Sequence, residues 1–132
     1  MKNTLLTLLF GFVINLCNSQ TNQPACGSFK SGEFAYRDSA SRLINVSRRG
    51  SRQEEVDKKN KIVTKFKIKW ISACEYELTQ IWSNSKAKRK QNRAVTKVII
   101  TKANGDDSYE YTCACRDRAE KRNGGTMVRL SD

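Results

Sequence analysis

The sequence predicts an all-β fold, an antiparallel meander of about eight short strands that curls into a small up-and-down barrel. A two-sheet β-sandwich is the alternative. Three observations carry the expectation. Ile62–Trp82 alternates apolar and polar residues with period two on both sides of a short turn, the pattern of half-buried strands. Asn104-Gly105 is a strong hairpin signal between two more alternating runs. Pro24, the single proline, lies outside every expected strand.

At the start of the chain, Met1–Ser19 reads as a secretory signal. Lys2 precedes the apolar run Leu5–Leu16, and small side chains follow it. The run is too short to span a bilayer, which takes roughly 20 apolar residues. The expected cut lies between Ser19 and Gln20, leaving residues 20–132 as a single β domain, exported to the periplasm or secreted. Lipid anchoring at Cys17 is the alternative, and no membrane span is expected in the mature chain. The 25 Lys and Arg against 13 Asp and Glu give a formal net charge of +12. That balance points to anionic partners: an acidic glycan, lipopolysaccharide or nucleic acid.

There is no histidine. Its absence excludes Ser-His and Cys-His nucleophilic pairs and every histidine metal ligand. The adjacent carboxylates Glu54-Glu55 and Asp106-Asp107 read as edge or turn chemistry, and neighbours along a strand face opposite ways. The expectation is a non-catalytic protein with no metal and no cofactor.

The strands follow in order. Phe34 and Tyr36 share one face of a first strand. Asp38–Ser41 has turn chemistry. Leu43–Arg48 alternates Ile44 and Val46 against Asn45 and Ser47. Arg49-Gly50-Ser51 turns the chain into Arg52–Val56, a weak polar strand expected at an edge, with a helical turn as its rival. Asp57–Lys61 is a charged turn. In the central hairpin Phe66, Ile68 and Trp70 face one way, and Lys65, Lys67 and Lys69 the other. Facing inward residues sets the register Trp70–Tyr76, Ile68–Leu78 and Lys69–Glu77, because a one-residue slip would put Trp70 opposite Glu75. Ser83–Arg93 lacks an apolar period and reads as a mobile loop. A two-residue turn at Asn104-Gly105 would pair Ile100 with Tyr109, Val98 with Tyr111 and Thr96 with Cys113. Asn123-Gly124-Gly125 reads as a further turn, pairing Val128 of a last strand Thr126–Leu130 with Ala119. Asp117–Arg122 is open to a helical turn. Eight strands suffice for a lipocalin-like barrel that is filled or holds one ligand.

Cys26–Asp38 and Lys67–Thr79 resemble a family of small exported proteins of Bacteroidota. The matching residues are Cys26, Phe29, Lys30, Gly32, Phe34 and Tyr36 at the start, then Trp70, Cys74, Glu75, Tyr76 and Leu78. Arg49, Gln53 and Glu55 match a central Arg…Gln-x-Glu segment more loosely. The resemblance implies an exported β-protein and no established activity.

The mature segment keeps Cys26, Cys74, Cys113 and Cys115, for which three complete pairings exist. Cys26–Cys74 is favoured because both sit in turns flanking core strands, which leaves Cys113 and Cys115. A relaxed bridge between those two needs a bulge, since same-face neighbours on a strand lie roughly 6.6 Å apart. Lys86, Lys88, Arg89, Lys90 and Arg93, with Trp82 before them, form the candidate anion-binding loop. The alternative function is a small apolar ligand held in a barrel cavity among Phe34, Phe66, Trp70, Tyr76 and Tyr111, rings that otherwise fill the core.

Overall fold

The computed structural model describes residues 24–115 and 122–131, except the side chains of residues 115 and 122. The expected signal 1–19, the candidate anchor Cys17 and the open segment 117–121 lie outside the described residues. A 3-10 turn, Gly27–Lys30, precedes eight strands: β1 Gly32–Arg37, β2 Leu43–Arg49, β3 Arg52–Asp57, β4 Ile62–Ser72, β5 Glu75–Ser83, β6 Val95–Asn104, β7 Ser108–Cys115 and β8 Arg122–Arg129. A one-turn helix, α1 (Lys86–Arg89), lies between β5 and β6. Each strand pairs antiparallel with the next, and β1 pairs with β8, so the sheet closes as an up-and-down barrel. No helix among the described residues is long and apolar enough to cross a membrane.

The β4–β5 hairpin keeps the expected register, Trp70 opposite Tyr76, Ile68 opposite Leu78 and Lys69 opposite Glu77. It also carries two register shifts that leave Ile71 and Ile81 as extra residues, both exposed. Bulges of this kind increase local twist and let a sheet curl shut.

Three sequence expectations are corrected. β3 is not at an edge, because closure seats it between β2 and β4. In β6–β7 the pairs are Ile100–Tyr111, Val98–Cys113 and Thr96–Cys115, two residues beyond the expected register. Asn104 and Ser108 instead flank a longer turn in which Gly105 has φ +57°, and a shift at Thr101 restores the inward face. Without that shift Tyr109 and Tyr111 could not both face inward with Ile100. Finally, Asn123, Gly124 and Gly125 lie inside β8, and Val128 pairs with Ser108 and Ala35. Gly125 is there for space: a Cβ would stand 2.7 Å from the Tyr111 hydroxyl oxygen.

One end of the barrel is plugged. Phe29 of the 3-10 turn is fully buried, with its ring 4.8 Å from that of Tyr109. Arg129 crosses from β8 to hold the plug, donating to the Ser28 and Ser31 carbonyls over the Phe34 ring. It passes over Gly32, where a Cβ would sit 2.5 Å from its guanidinium and φ is +127°.

The expected Cys26–Cys74 disulfide is present, with a Cα–Cα distance of 5.3 Å, and ties the plug to the β4–β5 turn. Such bonds persist in oxidising environments. Closing a loop of 48 residues stabilises by roughly 4 kcal/mol through unfolded-chain entropy. Urea unfolding of the Cys26→Ser/Cys74→Ser protein is expected to show a loss of about 2–4 kcal/mol, matched by reducing the native protein.

Candidate functional site

β1 begins at the plug, so the loops 38–42, 58–61 and 84–94 gather at the other end. There the interior opens into a cavity of about 470 Å³. Phe66, Leu78, Val98 and Met127 supply its apolar wall, and Tyr36, Gln53, Glu55, Gln80 and Tyr111 its polar one. An eight-stranded barrel is just wide enough to be filled by side chains or to hold one small ligand. Short residues at the upper level, Thr96 and Ala94, leave the space open.

Below the cavity lies Arg48, fully buried. Alternation along β2 puts it on the inward face after Ile44 and Val46. Its guanidinium donates to Gln53 Oε1 (2.7 Å), the Phe29 carbonyl (3.0 Å), the Tyr76 hydroxyl (2.7 Å) and the Tyr109 hydroxyl (2.8 Å). It also lies 4.7 Å from the centre of the Tyr76 ring and 5.1 Å from that of Phe34. A buried guanidinium stays charged and must have its N–H groups satisfied. Here rings and neutral acceptors take four of its five N–H groups, with no carboxylate among the described residues in ion-pair contact.

Gln53 carries the network on to an acid. Its Nε2 donates to Glu55 Oε1 at 2.9 Å, and the Tyr36 hydroxyl donates to Glu55 Oε2 at 2.9 Å. Burial pushes the Glu55 carboxyl above its ordinary range, opposed by these two hydrogen bonds and by the charges of Lys88 and Arg48. Burial also raises Tyr36, helped by the adjacent Glu55 charge, so its hydroxyl keeps the proton it donates. Tyr76 and Tyr111 are raised as well, again chiefly by burial.

The candidate anion-binding loop contains the helical turn α1 and is hydrogen-bonded to the barrel. Ser85 caps α1 by accepting from the Lys88 backbone N–H. Gln80 on β5 donates to the Lys88 carbonyl (2.6 Å) and to Asn92 Oδ1 (2.9 Å), while its own carbonyl accepts from Arg93 N. An inward glutamine thus fastens the loop to the rim. Lys88 lines the cavity, whereas Lys86, Arg89, Lys90 and Arg93 are exposed around it.

Of the five rings named for a cavity, Phe66, Tyr76 and Tyr111 line it. Phe34 instead packs under Arg48 and Arg129, and Trp70 stacks on Tyr76 at 4.7 Å with Lys30 over its face. Cys113 is half-buried in the cavity wall. Its pairing with Cys115 falls on a side chain outside the described residues. β7 runs in regular register through both positions, without the bulge a relaxed bridge was expected to need.

Arg48, Gln53 and Glu55 were legible only in part. The alternation of Ile44 and Val46 leads straight to Arg48, but an arginine on an apolar face reads as the end of the strand. In the Arg…Gln-x-Glu segment the arginine joined to Gln53 is Arg48, while Arg49 is exposed. Among the described residues no three metal-ligating side chains gather. No protein-family profile, curated protein or solved structure matches this chain.

A carboxyl whose pKa is raised on folding binds its proton more tightly folded than unfolded. Its contribution is therefore fully present below the ordinary value of 4.5 and is lost as pH rises through the raised value. Glu55→Gln is expected to raise the thermal midpoint at neutral pH and to flatten its dependence on pH in that window, read by calorimetry. Arg48→Leu strands Gln53 Oε1 and the Phe29 carbonyl and leaves the Tyr76 and Tyr109 hydroxyls only each other, and is expected to cost about 3 kcal/mol or more in urea unfolding.

Proposed function

We propose that this barrel is a non-catalytic binding protein that holds one small amphipathic molecule in its interior, outside the cytoplasm. The observation that carries the reading is the cavity of about 470 Å³, plugged at one end by Phe29 and, among the described residues, open at the other. Ligand sites of roughly 300–1,000 Å³ with apolar walls and a few convergent polar groups are the common form of small-molecule pockets. Phe66, Leu78, Val98 and Met127 would take the apolar body, and the Tyr36–Glu55–Gln53 group the polar one. The Cys26–Cys74 bond supports an oxidising compartment, in keeping with export to the periplasm or the exterior.

The basic loop enters this reading as part of the mouth. Its exposed cations act on whatever projects from the cavity, which favours an anionic or neutral outer group. Binding of a glycan, lipopolysaccharide or nucleic acid by the loop alone remains the second reading, carried by the exposed Lys86, Arg89, Lys90 and Arg93. Attachment of that kind must weaken steeply with salt.

Titration with a neutral solvatochromic dye such as Nile red is expected to saturate at one dye per chain and to be insensitive to salt. Val98→Phe and Ala94→Trp, which fill the cavity and its mouth, are expected to lower that affinity at least tenfold while the protein stays folded by circular dichroism. Dye binding that these substitutions leave unchanged would rule the cavity out as the site.

A further inference from the structure

We infer that the cavity selects a ligand bearing an organic ammonium group, docked on the Glu55 carboxylate among the rings of Tyr36, Phe66 and Tyr111. The inference rests on the cavity reading above and names the chemistry of its occupant.

Glu55 shows its exposed area to the cavity it lines. Each of its oxygens holds one neutral donor, the Gln53 amide on Oε1 and the Tyr36 hydroxyl on Oε2. A carboxylate has about four lone-pair sites, so both oxygens keep capacity for a further donor. No cation among the described residues stands within ion-pair distance of it. Arg48 does not fill that role, because Gln53 lies between them and four of its five N–H donors go to Gln53, Phe29, Tyr76 and Tyr109. The site therefore presents an acid without a contact counter-ion, facing an open space.

The walls suit a cation as well. Tyr36 and Tyr111 pack edge to face, with ring centres 6.4 Å apart, and Phe66 lines the same space. Aromatic faces attract an ammonium, more strongly when water is excluded. A hydrogen bond between an ammonium and a carboxylate is roughly twice as strong as one between neutral groups. An alcohol could donate to the carboxylate but would lack the ion pair and the cation–π attraction, and an anionic end group would be repelled. Lys88 at the mouth opposes a second positive charge, so the class is a monoamine whose outer part is neutral or anionic. The other rim cations are exposed, and salt screens them over about 8 Å, whereas Glu55 acts at contact.

Protonation of Glu55 competes with the ammonium. Among the described residues, the charged and titratable groups around it are Tyr36 from β1, Arg48 from β2, Lys88 from α1, and Tyr111 and Cys113 from β7, while β4 presents Phe66. Burial shifts the Glu55 carboxyl upward, so where pH drops into that raised range an ammonium must displace the proton, and affinity for the amine is expected to fall.

Three probes of one shape test this by calorimetry on the folded full chain: naphthylmethylamine, naphthylmethanol and naphthoate. The amine is expected to bind at least tenfold more tightly than the alcohol, and naphthoate most weakly. Glu55→Gln is expected to weaken the amine at least tenfold and the alcohol far less, bringing the two affinities together. As pH is lowered through the range in which Glu55 takes up its proton, amine affinity should fall and the binding enthalpy should begin to differ between buffers of unequal ionisation enthalpy, effects absent with the alcohol and in Glu55→Gln. An alcohol that binds as tightly as the amine, or an amine indifferent to Glu55→Gln, overturns the ammonium inference and leaves the cavity standing. Failure of all three probes together with Nile red overturns the cavity reading itself.

Discussion

The charge of Arg48 is the constraint on which the interior is built. A guanidinium cannot shed its proton inside a protein, so burying it obliges the surroundings to supply acceptors in the right places. Those acceptors come from the plug, β3, β5 and β7: the Phe29 carbonyl, Gln53, Tyr76 and Tyr109. One side chain thus requires four separate parts of the barrel to be in register at once. A slip of any of them would leave a buried charge short of a partner, and such a vacancy is costly. The rings around Arg48 add cation–π attraction and keep water away from it.

From Arg48 the barrel divides into two halves with different work. Toward the plug the interior is packed: Phe29, Phe34 and Tyr109 fill it, Arg129 latches the 3-10 turn over Gly32, and the disulfide holds the segment before β1. Toward the mouth the inward residues turn shorter or more polar, and space remains. Gln53 joins the halves, accepting from Arg48 on one side and donating to Glu55 on the other. Glu55 is held in the wall against the preference of a carboxyl for water, a departure of the kind that clusters at functional sites. The floor beneath Glu55 is thus hydrogen-bonded through Gln53 to Arg48, and the rim is tied down through Gln80.

Closure itself depends on local irregularities. The extra residues Ile71, Ile81 and Thr101 bend the hairpins, and Gly125 makes room for the Tyr111 ring. Each breaks the simple strand pattern to satisfy the barrel as a whole. The Thr101 irregularity shows the logic: the longer turn after Asn104 would reverse the faces of β7, and the unpaired residue corrects it.

By itself the sequence determined the local terms. Period-two alternation specified the strands and the β4–β5 register, because burial penalises every alternative by exposing a whole apolar face. The placing of Cys26 and Cys74 beside core strands pointed to their bond. Tertiary structure decided the rest, for reasons that are not local. Whether β3 is an edge depends on whether the sheet closes, so a strand polar on both faces gave no sign that Gln53 and Glu55 line an interior. Asn123-Gly124-Gly125 has turn chemistry, yet Tyr111 across the sheet needs a residue without Cβ at Gly125. Arg48 reads as a strand end until the four acceptors that make its burial tolerable are brought around it. The cavity is the volume left when inward side chains from seven of the eight strands meet, a property of their sum and of no single segment.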